Sequence, residues 1–423
     1  MSRRNRRATQ ALTAIALAGL LTACADRATT SDDSTGSEDD AAVQTGAGVT
    51  DSTISVGMLT DLSGPFAAGA TIQVAETQAY WEQVNADGGV CGRNVEVDVQ
   101  DHGYDPQNAV SLYRSMSPDV VALQQVLGSP VVAAVLPLAQ EDDLYVGGMG
   151  WASVTLEYDN AQLPGSTYSI EGANAVDYMV EELGLQSGDS IGHVYFEGDY
   201  GGDSLKGAEY AAEQHGLEVV SQAITPQDTD LSAQASALQK AGVKGAIIGA
   251  APPQMASLAG SLAALGMDIP IFGNTPSFGP SLLDTPARDA LVANGYTVQS
   301  ITPYAGEGEA VTASEELYSE AAPDGEIGWE VPLAYAQAML LKTALDNACE
   351  AGDLTPAGVV AGVRATTDLD TSGLFAANLD YSDPAEPPTR TVFVSKVDPD
   401  VEAGLSIETT MEGPSAQSYT FGE

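Results

Sequence analysis

The sequence predicts an α/β protein with two similar lobes, each built around a parallel β-sheet. The first observation is an alternation, beginning at Ser52, of short β-branched runs with Ala-rich helical segments, which is typical of βαβ units. The second is an interruption over residues 150–167, after which the same alternation restarts at Tyr168. With 423 residues, 44% of them hydrophobic, the chain is long and apolar enough for two packed cores.

A leader precedes this alternation. Four arginines within the first seven residues, followed by an apolar run over 11–21, predict a secretory signal peptide over residues 1–23. Residues 24–51 are small and polar without hydrophobic periodicity, so they predict a disordered acidic tether. Nothing after residue 24 is long and apolar enough to predict a transmembrane segment.

The first series of strands and helices begins with a strand over 54–59. A Ser63-Gly64-Pro65 turn ends this strand before a helix that runs to about residue 85, and we expect the turn to form one wall of a ligand cleft. The series continues with strand 95–100, helix 106–116, strand 120–123, helix 131–140 and strand 144–148.

The second series repeats the alternation. It predicts helix 174–183, strand 191–196, helix 204–215, strand 217–222, helix 231–241, strand 245–248 and two further units to about residue 271.

The C-terminal part of the chain contains strands and helices that remain after two complete lobes have been assigned. It predicts a β-rich connector over 295–303, a helix over 334–348 and a strand–turn–strand over 375–397. We therefore expect the chain to cross between the lobes three times, near Tyr168, near Gly295 and over 366–374, and the three crossings to form a hinge. The N-terminal lobe is then 52–167 plus 298–366, and the C-terminal lobe is 168–297 plus 367–410.

The chain is strongly acidic, with a formal net charge of −44. Removing the four arginines of the leader brings this charge to −48. Such a surface repels nucleic acid and anionic lipid, so neither is an expected partner. We interpret the charge as a solubility trait that says little about the ligand.

Signals for catalysis or metal binding are absent from the sequence. His102, His193 and His215 are the only histidines, none has a metal-ligand spacing, and neither a G-x-S-x-G elbow nor a phosphate-binding P-loop occurs. The aspartates around His102 are more simply a solvated loop before a helix that starts with Pro106. We therefore predict a protein that is not an enzyme and that has no cofactor and no metal site.

Several motifs in order resemble those of one known family. The segments 54–67, 85–95 (NADGGVCGRNV) and Tyr200-Gly201 are similar to the branched-chain amino acid (Leu/Ile/Val-binding) type of ABC transporter substrate-binding protein, with a likeness from about residue 52 to 400. The resemblance implies a type I periplasmic binding protein fold, in which two Rossmann-like lobes joined by three crossovers close on a small ligand.

The three cysteines point to two different modifications. Leu21-Thr22-Ala23-Cys24 resembles the lipobox of bacterial lipoproteins, which implies that Cys24 is acylated; the alternative is an ordinary signal peptide and a Cys24 without a role. Cys91 and Cys349 remain as an even pair in an exported protein, which favours a disulfide between them over two separate buried thiols.

The resemblance implies ligand contacts at two loop–helix junctions of the N-terminal lobe. Ser129 matches one junction, and Trp151-Ala152-Ser153 matches the other. In the family, amides and hydroxyls at these junctions hold the ligand carboxylate, which suits an anion at a helix N-terminus. The alternative is that Ser129 and Ser153 are only N-caps.

The resemblance also implies ligand contacts in the C-terminal lobe. Tyr200 matches an aromatic position, Ala250 follows a buried strand, and Asn274-Thr275 falls where α-amino acid binders carry a carboxylate for the ligand ammonium. Without that carboxylate an ordinary α-amino acid is a poor ligand, unless Glu171 or Asp199 replaces it, although each is more simply a solvated loop acid. These positions favour a small polar or aromatic molecule such as a carboxylic acid or an amide.

The function expected from the residues and the resemblance is solute capture outside the cell membrane. We expect a monomeric lipoprotein, held on the outer face of the membrane only by its lipid anchor, that binds a small molecule and delivers it to ABC permease subunits. A receptor of the same fold that reports to a membrane sensor is the alternative. A secreted enzyme would need nucleophile or metal motifs that the sequence lacks.

Overall fold

The computed structural model describes residues 43–422, so the predicted signal peptide, Cys24 and most of the predicted tether lie outside the described residues. The strands are β1 Gln44–Thr45, β2 Thr53–Thr60, β3 Asn94–Asp101, β4 Ala122–Leu127, β5 Tyr145–Met149, β6 Ala161–Gln162, β7 Ser190–Phe196, β8 Glu218–Ile224, β9 Gly245–Gly249, β10 Ile271–Asn274, β11 Gly295–Gln299, β12 Asp353–Leu354, β13 Val392–Val397 and β14 Leu405–Met411. The helices are α1 Ala67–Ala86, α2 Pro106–Met116, α3 Ser129–Glu141, α4 Tyr168–Glu181, α5 Asp199–His215, α6 Ser232–Ala241, α7 Pro252–Ala264, α8 Arg288–Asn294, α9 Glu309–Ala321, α10 Glu330–Glu350, α11 Pro356–Arg364 and α12 Pro414–Ser418.

The N-terminal lobe contains a five-stranded parallel sheet in the order β3-β2-β4-β5-β6. Every residue of β4 is buried, as expected for a parallel strand covered by helices on both faces. The strand order reverses between β2 and β4, and open α/β sheets bind ligands at the carboxyl edge of such a point. The buried Asp61 holds the turn after β2 by accepting hydrogen bonds from the backbone N–H of Gly64 (2.6 Å) and Phe66 (3.0 Å).

The C-terminal lobe contains a seven-stranded sheet in the order β14-β13-β11-β10-β9-β7-β8. The strands from β11 to β8 are parallel, while β13 and β14 are antiparallel additions at one edge. In this sheet the order reverses between β7 and β9. The residues that follow β7 and β9 therefore lie at the carboxyl edge of the sheet, where open α/β sheets bind ligands.

Three segments, 163–167, 300–308 and 365–391, connect the lobes and lie side by side. Ser300 joins two neighbours, because its Oγ accepts a hydrogen bond from Ser166 N (3.0 Å) and its carbonyl accepts one from Ala376 N (3.1 Å). Thr302 N donates to Leu374 O at 2.9 Å. The structure thus confirms the predicted α/β fold with two sheets and a hinge of three crossovers.

Two cysteines link distant parts of the N-terminal lobe. Cys91, in the loop after α1, and Cys349, near the end of α10, form a disulfide with Cα atoms 6.2 Å apart. The covalent link holds the C-terminal end of α10 against the loop that leads into β3.

Three local predictions differ from the structure. The strand–turn–strand predicted over 375–397 is wrong: the hairpin is β13–β14, and 375–391 is irregular because the prolines at 384, 387 and 388 have no N–H for a ladder. Part of the predicted disordered tether is structured, since β1 (Gln44–Thr45) pairs with β12. The C-terminal lobe also extends beyond residue 410, because α12 packs on α4, where Asp177 accepts a hydrogen bond from Ser415 Oγ.

Candidate functional site

A cavity of about 440 Å³ lies between the lobes, within the size range of small-molecule sites. Its wall is largely apolar and takes residues from both lobes. The aromatic residues that line it are Phe66, Tyr104, Trp151, Tyr168, Tyr200 and Trp329. The aliphatic residues and prolines are Pro65, Ala68, Ala70, Ile72, Leu127, Met149, Pro252, Pro253, Pro276, Pro280, Leu282 and Ile327.

Three of the eight predicted ligand-contacting residues line this cavity, namely Ser129, Trp151 and Tyr200. The other five are not among its lining residues; they are Ala152, Ser153, Ala250, Asn274 and Thr275. Two of these five, Ala250 and Asn274, hydrogen-bond the hydroxyl of the lining residue Tyr200.

Ser129 begins α3 at the carboxyl edge of β4 and is 2% exposed. It follows Gly128, which has a φ of 97° and whose missing Cβ leaves room for the ring of Tyr104. Ser129 Oγ is close to the Tyr168 side chain but has no hydrogen-bond partner within the described residues. Ser129 makes no capping bond with its side chain. An unpaired hydroxyl beside a helix N-terminus is suited to accept an anionic or polar ligand group.

Trp151 and Ser153 connect the two lobes at the back of the cavity. Trp151 O accepts a hydrogen bond from Tyr168 N at 2.8 Å, and its indole Nε1 donates to Pro164 O at 2.8 Å. Ser153 Oγ lies 2.9 Å from Ser169 Oγ at the start of α4. Trp151 therefore presents only an apolar face to the cavity, and Ser153 is occupied by the opposite lobe.

Tyr200 presents its ring to the cavity and its hydroxyl to the C-terminal lobe. The ring packs on Tyr168, with centroids 4.5 Å apart. The hydroxyl lies 3.1 Å from Ala250 O and 2.9 Å from Asn274 Oδ1. The hydroxyl is thus already paired, and Ala250 and Asn274 act as its partners.

Thr275 holds a buried carboxyl group. Its backbone N–H donates to Glu171 Oε2 (3.0 Å) and its Oγ1 donates to Glu171 Oε1 (2.8 Å). Glu171 is fully buried in α4, and this burial raises the pKa of its carboxyl well above the usual range. The interpretation of Glu171 as a solvated loop acid is therefore wrong, whereas Asp199 is exposed at the first position of α5.

Glu330 is a lining residue that the sequence reasoning missed. It is the first residue of α10, it is 9% exposed, and its Oε2 has no hydrogen-bond partner within residues 43–422. Burial and the neighbouring Glu326 raise the pKa of Glu330 to about 7. No local signal could have found it, because an acid in the first turn of a helix is common wherever the helix dipole is exposed to water.

A second layer of polar side chains lies behind the N-terminal wall. Gln73, which lines the cavity, accepts a hydrogen bond through Oε1 from Gln125 Nε2 (3.2 Å), and Gln125 also donates to Thr60 Oγ1 (3.1 Å). One turn further along α1, Glu76 is fully buried and neither carboxyl oxygen has a described partner. Desolvation raises the pKa of Glu76 to about 9, so this group is neutral near pH 7.

The cavity offers no basic side chain and no metal ligand set. The ionisable acids on its wall are Asp284 and Glu326 at the exposed rim and Glu330 inside, and no Lys, Arg or His lines it among the described residues. No group of three or more His, Cys, Asp or Glu in this part of the chain is arranged to hold a metal ion. A search of the described helices also found none with the length and hydropathy of a membrane span.

The histidines have structural surroundings away from the cavity. His102 and His193 are buried, and burial lowers the pKa of both imidazoles. His215 Nε2 lies 2.7 Å from Asp177 Oδ1, which also accepts from Ser415 Oγ. This cluster fastens the C-terminal segment to α4.

Comparison with known proteins agrees with this architecture. The model of the periplasmic binding protein family matches residues 53–404. A Leu/Ile/Val-binding protein of Rhizobium johnstonii is 24% identical over 320 residues, which cover 71% of this chain and 81% of the relative.

Two solved structures show the range of the likeness. One is a fatty acid ABC transporter substrate-binding protein from Thermomonospora curvata, which is 37% identical to this chain and superposes on it with a TM-score of 0.87. The match covers 90% of this chain and 97% of the Thermomonospora curvata chain. A branched-chain amino acid ABC transporter protein from Thermus thermophilus, solved with bound valine, shares the fold at 15% identity, 89% and 100% coverage and a TM-score of 0.76. The chain therefore belongs to the periplasmic binding protein family and is an exported substrate-binding protein of the kind that works with ABC transporters.

Proposed function

We propose that this protein is a lipid-anchored substrate-binding protein that delivers its ligand to an ABC permease. The proposed ligand is an apolar carboxylic acid with an aliphatic tail like that of a fatty acid. The observation that carries the proposal is the wall of the cavity, which combines a largely apolar surface with an unpaired hydroxyl at a helix N-terminus. The relative described as a fatty acid binder supports the same ligand class.

The ligand carboxylate is placed at Ser129. The N-terminus of α3 supplies partial positive charge, and Ser129 Oγ supplies a free hydrogen-bond donor, so a carboxylate there is stabilised although no base lines the cavity. The aliphatic tail then contacts Ile72, Met149 and Leu282. Each methylene removed from water contributes about 0.8 kcal/mol.

An α-amino acid fits this cavity less well. Its ammonium would need a carboxylate near Thr275, but Thr275 is hydrogen-bonded to the buried Glu171 behind the wall. A buried ammonium without a partner costs several kcal/mol. The carboxyl group that lines the cavity, Glu330, begins a different helix from Ser129, and we assign it to a ligand group other than one next to the carboxylate. Leucine and valine are therefore expected to bind more weakly than an apolar acid of similar size.

Tryptophan fluorescence tests the ligand class. Two of the three tryptophans, Trp151 and Trp329, line the cavity, whereas Trp81 lies in the core of the N-terminal lobe with its Nε1 donating to Gln124 Oε1 at 3.1 Å. Protein freed of bound fatty acids is titrated with each ligand while the tryptophan emission is recorded. Octanoic acid should change the emission at a lower ligand concentration than octanamide, leucine or valine. Ser129→Ala should weaken octanoic acid binding roughly 10-fold, since one hydrogen bond to a charged group is lost.

The opposite ranking would overturn this proposal. Tighter binding of leucine than of octanoic acid, or unchanged affinity of the Ser129→Ala variant, would contradict the assigned ligand class and carboxylate position. The lipid anchor has its own test, because Cys24→Ala should release the protein from membranes into the medium.

A further inference from the structure

Glu330 is not explained by an apolar acid whose carboxylate lies at Ser129. Its carboxyl group lines the cavity, is nine-tenths buried, and has an oxygen, Oε2, without a hydrogen-bond partner in the described structure. A plain aliphatic tail would lie against this carboxyl group without pairing it. A buried carboxyl oxygen without a hydrogen-bond partner is destabilising, because it has lost the hydrogen bonds that it makes with water.

The surrounding sequence makes space for this carboxyl group. A Cβ at Gly69 of α1 would lie 2.8 Å from Glu330 Oε1, and a Cβ at Gly328 would lie 2.3 Å from Oε2. Glycine at both positions therefore permits the side chain to sit where it does. Glu330 and Ser129 occupy the first positions of two different helices, α10 and α3, and we assign them to two different groups of the ligand.

The charges that face Glu330 are all acidic or neutral. Glu326 precedes it on the same loop, Asp284 lines the rim from the C-terminal lobe, and Tyr318 of α9 lies close enough to interact with it. Glu76 of α1 also interacts with Tyr318, and its carboxyl is neutral near pH 7. No lysine or arginine among the residues that line the cavity compensates Glu330.

We propose that Glu330 is the specificity-determining residue of the cavity and that it selects a carboxylic acid carrying a second, hydrogen-bond-donating group at the far end of its tail. An ω-hydroxy acid or an ω-amino acid has this chemistry. The inference rests on the proposed function, since it takes the carboxylate at Ser129 as the first anchor. Discrimination is expected to be large, because a site built to pair a donor rejects the analogue that lacks it.

Three matched ligands test the inference: octanoic, ω-hydroxyoctanoic and ω-aminooctanoic acid. Each is titrated into the protein at about pH 8.5 while tryptophan fluorescence is recorded. The corresponding decanoic acids provide a second chain length. The protein should prefer at least one ω-substituted acid over its plain counterpart by roughly 10-fold or more. The tighter-binding of the two ω-substituted acids shows whether Glu330 selects a hydroxyl or an ammonium at the end of the tail.

Two variants at Glu330 separate hydrogen bonding from charge. Glu330→Leu should abolish the preference and bind the plain acid as tightly as the unaltered protein or more tightly. Glu330→Gln keeps an acceptor oxygen without charge, so it should retain a preference for the hydroxy acid and lose one for the amino acid.

A pair of glycine variants tests the position of the carboxyl group without changing Glu330 itself. Gly69→Ala should displace Glu330 and reduce the preference for an ω-substituted acid, whereas Gly202→Ala in α5, where an added Cβ meets nothing within 4 Å, should leave it unchanged.

Two results would overturn the inference, and they are distinguishable. If the unaltered protein binds the plain acids as tightly as the substituted ones, the role of Glu330 is refuted while the proposed function stands. If none of the acids binds, the proposed function fails and the inference fails with it.

Discussion

The two walls of the cavity differ in whether their polar groups are already paired. On the C-terminal wall the Tyr200 hydroxyl is held by Ala250 and Asn274, and behind it Glu171 is held by Thr275. On the N-terminal wall Ser129 Oγ and Glu330 Oε2 have no partners in the described residues. The difference teaches that polarity alone does not identify ligand contacts, because a paired group shapes the wall and an unpaired group remains available to the ligand.

This contrast predicts different consequences for substitutions on the two sides. Polar groups of the C-terminal lobe should matter mainly for stability, since removing one leaves its buried partner unpaired. Those of the N-terminal wall should matter mainly for affinity and selectivity. Behind that wall, Glu76 is the extreme case of an unpaired group, because it is fully buried, has no partner for its carboxyl oxygens among residues 43–422 and does not line the cavity.

The largest expected effect is on the pH dependence of stability through Glu76. Its folded pKa of about 9 lies above the value of 4.5 that is usual for a glutamate in water, so its contribution to stability is fully present below about pH 4.5 and is lost as pH rises toward 9. The slope is about 1.4 kcal/mol per pH unit within that window. Glu76→Gln should flatten the fall in free energy of unfolding, measured by urea titration between about pH 6 and 9.

Glu82 is the matched control for this experiment, because it is exposed on the same helix. Glu82→Gln should leave the pH dependence unchanged. An equal slope for the Glu76→Gln variant and the unaltered protein would show that Glu76 is not the source of the loss.

A smaller effect is expected from Thr275→Val on the C-terminal side. The variant keeps the shape of the side chain but removes the hydroxyl donor to Glu171, so it should lower the free energy of unfolding by about 1–3 kcal/mol. Thr297→Val in β11 is the control, because Thr297 is also fully buried but its Oγ1 has no partner in the described structure. Affinity of the folded protein for octanoic acid should stay within roughly 3-fold in both variants. A strong loss of affinity at Thr275 would contradict the division between the two walls.

The smallest expected effect is that of Tyr200→Phe on affinity. The ring that faces the cavity is retained, and only the hydroxyl bonded to Ala250 and Asn274 is lost. Calorimetric titration should show affinity within roughly 3-fold of the unaltered protein, while stability falls by about 1 kcal/mol. A 10-fold loss of affinity would instead place the hydroxyl against the ligand.

Much of the fold was predictable because its signals are local. Alternating strand and helix patterns, the turn at Ser63-Gly64-Pro65 and the proline that starts α2 each act over a few residues. The start of α3 at Ser129 also has a local sequence signal, and this residue lines the cavity. The hairpin near the C-terminus was displaced because prolines interrupted a β-rich stretch whose pairing is not local.

What the sequence by itself determined is therefore the alternation of strands and helices in the two lobes, the three crossovers and an anion-compatible helix start. The tertiary structure alone decided which carboxyl groups are buried and which of them have partners. Glu171, Glu76 and Glu330 look alike as acids in helices, yet Thr275 pairs the first, nothing described pairs the second, and the third reaches the cavity beside Gly69. The physical reason is that desolvation and hydrogen-bond pairing depend on contacts between segments far apart in the chain, which local periodicity does not encode.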